Sequence, residues 1–264
     1  MPAGSTQLAS ARSAFARVAI LTLLSLLALQ LYFLLRVVLM SWVDPDSTSF
    51  QRSEIWRLLA HKQQVAWSRR WVDYDHIGNP LKRAVIAAED AGFVEHSGIE
   101  WDALEKAWER NQLAAARVDE TNKRLEAAAA RRGRTPAAPI APRLVGGSTI
   151  TQQLAKNLFL GSERSLARKA QEVVIVWMLE AVLTKRRILE IYLNSVEWGE
   201  GVFGAEAAAQ HYFRRSANAL TAQQAAQLAV MLPAPKRFEQ RPSSAYVMSR
   251  AATIVSRMPA VAVP

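Results

Sequence analysis

The chain has 264 residues, half of them hydrophobic, a formal net charge of +10 and no cysteine. That length suits one membrane anchor plus one domain with a sizeable core, and the hydrophobic share excludes global disorder. Disulfides, thiolate catalysis and a Cys-based zinc site are excluded, while the positive charge suits anionic lipid, nucleic acid or a phosphate-bearing substrate and is silent on fold.

Residues 1–17 contain Arg12 and Arg17 and no acid. Residues 18–35, "VAILTLLSLLALQLYFLL", carry no charge, and with Arg36 and "VVLM" the run 18–40 predicts a transmembrane helix, since roughly 20 apolar residues cross a bilayer core. Asp44 and Asp46 follow. The positive flank places residues 1–17 in the cytoplasm and the chain after residue 44 outside. In a bacterium this is a single-pass protein of the inner membrane with a periplasmic domain. The run is long for a signal peptide and no A-x-A-like site follows it. Residues 44–74 read as a polar lead-in, with Trp56, Trp67 and Trp71 as packing or membrane-surface aromatics.

The domain proper is expected over residues 75–257. "LKRAVIAAED", from Leu81, has helical periodicity, and "RKAQEVVIVWMLEAVLTKRRILEIYLN" reads as a long helix, apolar nearly all round its middle and therefore buried. "LTAQQAAQLAVMLPAP" is another helix, ended by Pro233 and Pro235. Strand signals are few, so the class is mostly α. Residues 110–145 stand apart as an Ala/Arg/Pro-rich insertion, first a solvated helix and then a flexible loop. Between 105 and 143, nine Lys/Arg face five Asp/Glu. A surface insertion is the stronger reading, and a basic finger on anionic head groups the sharper one.

Three stretches carry chemistry. In "GGSTITQQLAKN", Thr149 and Gln152 form a capping box, and Thr149, Gln153 and Lys156 share one helical face, setting hydroxyl, amide and ammonium together. In "SERSLARKAQE", Arg164, Arg168 and Glu172 share another face, where two guanidiniums suit a pyrophosphate beside a carboxylate that cations keep ionised. In "AAEDAGFVEHSG", Glu89 and Asp90 are adjacent carboxyls with His96 six residues on. One of them, partly buried, would serve as a general base, although Glu-Asp pairs are common on surfaces.

"EDAGFVEHSG", "GGSTITQQLAKN", "RKAQE", "KRRILEIYLN" and "GVFGAEAAAQHYF" occur in the order of the motifs of the peptidoglycan glycosyltransferases of family 51. The chain resembles that family over about residues 75–257, in its monofunctional, biosynthetic form. The resemblance implies a lysozyme-like α-helical domain with a smaller membrane-associated jaw subdomain, preceded by one transmembrane helix. It implies polymerisation of lipid II into glycan strands for the cell wall, with inversion at the anomeric carbon and release of undecaprenyl pyrophosphate. On this resemblance Glu89 is the general base, with Asp90 and His96 its supporting neighbours. Ser148, Thr149, Gln153 and Lys156 line the donor site. Arg168 and Arg164 hold the pyrophosphate, and Glu172 is the second essential carboxylate. Lys185, Glu190, Tyr192 and Asn194 match the fourth motif, where holding the fold weighs at least as much as direct chemistry.

No dedicated carboxylate cage for a metal is seen, and no cofactor is required. A divalent cation, Mg or Mn, is an optional assistant at the pyrophosphate. The expected partners are lipid II, the growing lipid-linked glycan, the membrane and other cell-wall synthesis proteins, and not nucleic acid. Gln224 stands where many family members carry Glu, which implies a lost structural ion pair. Neither S-x-x-K nor K-T-G follows, so a transpeptidase domain is not expected. The competing readings are a lytic transglycosylase or lysozyme-like hydrolase, which has no need of three cations, and a scaffold whose polymerase has decayed, which the retained acids and cations oppose.

Overall fold

The structure, a computed structural model, describes residues 3–62, 66–132, 135, 138–142, 146–161 and 165–264, with side chains from residue 15 onward. Among the described residues, helices dominate. They are α1 (Ala3–Leu39), α2 (Ser49–Lys62), α3 (Asn79–Glu89), α4 (Trp101–Arg131), α5 (Ile150–Phe159) and α6 (Leu166–Val182). α7 (Lys185–Ser195), α8 (Ala205–Phe213), α9 (Ala222–Met231), α10 (Pro235–Phe238) and α11 (Ala245–Arg257) follow. A small sheet of β1 (Ser68–Arg69), β2 (Glu197–Gly199) and β3 (Val202–Phe203) has the order β1-β3-β2. β3 runs parallel to β1, pairing Ser68 with Val202, and antiparallel to β2.

Two packed groups make the core. α9 lies between α3 and α11, and α5 packs on α2, α6 and α7. α3 buries Leu81, Ala84, Val85 and Ile86, and the small Ala225, Ala226 and Ala229 of α9 let the backbones approach. The apolar face read for α5 is real: Ile150, Leu154 and Leu158 are buried. So is its capping box, with both Thr149–Gln152 bonds made.

α1 is long and apolar enough to cross a membrane over Phe15–Leu39. Its last turns do not hang free. Phe33, Val37 and Met40 are buried, and Phe33 meets Phe159 edge-on at 5.3 Å. Gln30 and Gln171 of α6 exchange two amide hydrogen bonds, 2.8 and 3.0 Å. Below them Arg187 donates to the Met40 carbonyl at 2.8 Å and pairs with Asp44 at 2.7 Å.

Three expectations need correction. The long helix from Arg168 to Asn194 is two helices, because Thr184 accepts from the Arg187 N–H and starts α7 afresh. Nor is its apolar middle wholly buried, since Trp177 is 58% exposed. The lead-in is part of the domain: α2 packs on α5, and Trp67 lies 4.6 Å from Phe203. Gln224 closes the capping box of α9 by accepting from the Thr221 N–H, which an amide does as well as a carboxylate. The solvated helix of the insertion is present as α4, of which only Ala107 is fully buried.

Gly98 turns the loop after α3 back against α6 at φ +85°, where a Cβ would lie 2.5 Å from Val176 Cγ1 and 2.8 Å from Glu180 Cγ. Gly98→Ala therefore combines a left-handed backbone penalty with overpacking, about 2–4 kcal/mol together. Thermal melting is expected to fall by roughly 5–10 °C. Gly92→Ala, with nothing nearer than 3.8 Å, should melt like the parent.

Candidate active site

α3 ends at Glu89, and Asp90 leaves helical geometry as its C-cap. Asp90 is buried and both its oxygens are used. Oδ2 accepts from the Ile150 N–H, the first turn of α5, at 3.0 Å, where the helix dipole favours negative charge. Oδ1 lies 2.7 Å from His96 Nε2. His96 Nδ1 accepts from the Gly98 N–H at 3.1 Å, so the neutral ring carries its proton on Nε2, pointing at Asp90. The Thr149 hydroxyl donates to the Gly98 carbonyl at 2.6 Å. One carboxylate thus ties the end of α3, the loop 90–98 and the start of α5 together.

That frame sets Glu89 beside α5. Gln153 Nε2 donates to Glu89 Oε2 at 2.8 Å, and Tyr192, on α7, donates its hydroxyl to Gln153 Oε1 at 2.9 Å. The amide is therefore oriented by a second hydrogen bond from a fully buried phenol. Burial pushes the Glu89 carboxyl above the usual 4.5, and the Asp90 charge adds to this; Gln153 and Lys156 pull it back. A half-buried carboxylate so placed is a stronger base than a free one.

Gln153 and Tyr192 also line a pocket of about 420 Å³. Lys156 and Asn157 of α5 and Arg168 of α6 supply one part of its wall. Desolvation lowers the Lys156 pKa, with Arg168 and Lys169 adding and Glu172 and Glu89 opposing. Glu172 is buried, with Lys169 Nζ 2.5 Å from Oε1 and Arg168 Nη1 3.3 Å from Oε2. The buried Arg168 Nε has no hydrogen-bond partner. So the arrangement offers an anion two cations, held by a carboxylate behind.

The structure gathers Glu89, Asp90, His96, Thr149, Gln153, Lys156, Arg168 and Glu172 in one region. Ser148 is exposed just before the cap. The hydroxyl of Thr149 is engaged in the cap and the Gly98 bond, so it shapes the site from within. Arg164 lies outside the described residues. Of the fourth motif, Lys185 donates to the His96 carbonyl at 2.6 Å and to Glu180 at 2.9 Å. Glu190 accepts from the Tyr74 N–H, and Asn194 brackets Val72 through both its amide atoms. These three hold the fold, and Tyr192 alone of the set lines the pocket. Sequence reasoning missed Lys169, the nearer cation on Glu172. It also missed the second part of the wall, Phe50 and Ser53 of α2, Glu197 of β2 and Pro235. Two acids, Glu197 and Glu200, interrupt the otherwise apolar "SVEWGEGVF" and were the available signal for Glu197.

One trio of metal-ligating types occurs among the described residues: Asp90, His96 and Glu100 have ligand atoms within 4.8 Å of one another. Its donor set is poor, because both His96 nitrogens are committed to Asp90 and the Gly98 N–H.

The sequence matches the transglycosylase family over residues 57–120 and 137–259. The chain is similar to curated proteins called biosynthetic peptidoglycan transglycosylase. That of Cupriavidus pinatubonensis is 51% identical over 242 residues, 90% of this chain and 86% of the relative. That of Burkholderia thailandensis is 50% identical over 238 residues, 90% and 83%. That of Bordetella pertussis is 48% identical over 235 residues, 89% and 88%.

A base that must be ionised gains activity as pH rises through its pKa. The acid limb of kcat/KM should therefore lie above the ordinary carboxylate value of 4.5. The Gln153 amide stabilises the ionised form, so Gln153→Met should move that limb to still higher pH, and Tyr192→Phe should move it less in the same direction. The check is a pH–rate profile of the three proteins.

Proposed function

The chain belongs to the transglycosylase family, and from that membership we propose lipid II as its substrate and Glu89 as its general base. As a peptidoglycan glycosyltransferase it polymerises glycan strands in cell-wall synthesis. The growing strand is the donor and lipid II the acceptor. Glu89 takes the proton of the acceptor 4-hydroxyl as that oxygen attacks the donor's anomeric carbon from the face opposite the leaving group. The bond from the anomeric carbon to the pyrophosphate oxygen breaks, the carbon inverts, and undecaprenyl pyrophosphate leaves with the electron pair. Lys156 and Arg168 meet the charge that develops there, in a pocket where preorganised cations act strongly. An arriving pyrophosphate also holds Lys156 in its charged form.

The observation that carries this reading is the Tyr192–Gln153–Glu89 relay, whose amide lines the same pocket as Lys156 and Arg168. Base and cations come from different elements, α3 against α5 and α6, and this is compatible with entering and leaving groups on opposite faces of the reacting carbon. Glu172 orients the cations. A divalent cation, Mg or Mn, stays an accessory, since each Glu172 oxygen already faces a cation of the protein. Arg164 is kept as a further pyrophosphate contact and Ser148 as a donor-site residue.

α1 anchors the enzyme, with residues 1–17 cytoplasmic and the domain periplasmic. Gln30 lies nine residues before the end of the helix, roughly 13 Å along it, so the part of α6 around Gln171 sits beside the apolar span. Leu166 and Trp177, 91% and 58% exposed, then face lipid and not water, which supports a membrane-associated jaw.

Full-length protein in detergent, given labelled lipid II, should yield a ladder of lysozyme-sensitive glycan. Glu89→Gln should lower the rate by about 10²–10⁴ at unchanged melting temperature, and wild-type rates from that variant would remove Glu89 as base. Lys156→Ala should cut kcat/KM for the donor about a hundredfold; unchanged donor kinetics would take Lys156 off the pyrophosphate.

A further inference from the structure

Glu197 opens β2 and lines the same pocket as Gln153, Lys156 and Arg168. It is only 8% exposed, and its Oε1 makes no hydrogen bond. Lys236 Nζ stands 3.4 Å away but lies nearer Glu54, at 2.6 Å. The neighbouring acids are better served. Glu54 takes Arg57 and Lys236, and Glu200 takes Arg57 and Lys62. The Gly201 backbone also donates to the Glu197 carboxyl, so the shortfall is confined to Oε1. A buried oxygen without a good donor is costly, and native proteins keep such atoms where something else completes them.

We propose that Glu197 is a substrate-contacting residue, the hydrogen-bonding group of a saccharide subsite on the part of the pocket wall built by α2, β2 and α10. The proposal rests on the glycosyltransferase reading above. The wall around Glu197 combines the flat ring of Phe50, the apolar Leu232 and Pro235 and the hydroxyl of Ser53. Apolar surface with a few placed polar groups suits a sugar ring, which has apolar faces and hydroxyl or acetamido edges. A pyrophosphate is drawn instead to Lys156 and Arg168, because a carboxyl repels it. A prenyl chain has no use for a buried acid. Burial also pushes the Glu197 carboxyl up to about 7, so near neutral pH both its forms are available and it both donates to and accepts from such edges. The pocket is thereby divided: charge is recognised from α5 and α6, and the neutral saccharide from Glu197.

The test is steady-state polymerisation of lipid II by full-length wild type and the variants Glu197→Leu, Glu197→Gln and Glu197→Asp, each with a melting curve. Glu197→Leu is expected to raise KM for lipid II about tenfold, with kcat within about twofold. Glu197→Gln keeps a donor and an acceptor and should restore KM to within about threefold of wild type. No polymer from folded wild type would sink the glycosyltransferase reading itself, and this proposal with it. With an active wild type, an unchanged KM in Glu197→Leu overturns the subsite alone, as does a loss confined to kcat. A Glu197→Gln variant as impaired as Glu197→Leu also overturns it, leaving a charge pair with Lys236. Should Glu197→Leu fail to fold, Glu197→Asp decides, because it withdraws the carboxyl by one methylene. A raised KM there supports the contact and a wild-type KM refutes it.

Discussion

The buried carboxylate of Asp90 is the constraint from which the rest of the site follows. It spends one oxygen on the first N–H of α5 and the other on His96, joining segments that are 60 residues apart in sequence. A helix N-terminus and a buried anion stabilise each other, since the free N–H groups and the dipole there favour negative charge. The consequence falls on its neighbour. With α3 ending against the start of α5, Glu89 has Gln153, one turn into α5, as its hydrogen-bond donor. Asp90 and its neighbour Glu89 thus have opposite surroundings, one with a partner on each oxygen and the other held by a single amide in a partly dry setting. That contrast separates a fixed support from the general base proposed above.

Around this frame the pocket is electrostatically graded. Lys156 and Arg168, with Lys169 behind them, come from α5 and α6, while Glu197 of β2 lines the other part of the wall. Crowded cations repel one another, and Glu172 among them reduces that cost without leaving the protein core. The cost that remains is visible in Lys156, whose ammonium is desolvated and loses proton affinity. An anionic ligand relieves it, so the free site stores a bias toward binding charge.

What could be read in the sequence was what depends on local spacing. The capping box at Thr149, the apolar face of α5 and the shared face of Gln153 and Lys156 follow from helix period alone. The family resemblance then ordered the acids and cations. What stayed hidden depends on contacts across the chain. α2 has no clear apolar stripe, because it buries Gln51 and Glu54 along with Leu58, so it read as a lead-in and its pocket-lining Phe50 and Ser53 went unseen. Glu197 gains its character from burial beside Lys236 and Glu54, which come from distant segments. The break between α6 and α7 lay at Thr184, a cap signal masked by the strong apolar pattern on either side. Lys185, Glu190 and Asn194 show the reverse case: their motif was visible, and only the bonds to the His96 carbonyl, Tyr74 and Val72 reveal them as braces.

The docking of α1 has a consequence for how the enzyme meets its substrate. A helix joined to the domain by a loose linker would leave the catalytic cleft free to tumble above the bilayer. Here the paired amides of Gln30 and Gln171 and the Arg187 clasp on Met40 and Asp44 make anchor and domain one strut. Height and tilt are then set when the protein folds, and the search for a lipid-borne sugar becomes sliding in a plane. Orientational freedom that a soluble enzyme surrenders at every encounter is surrendered here once, during assembly.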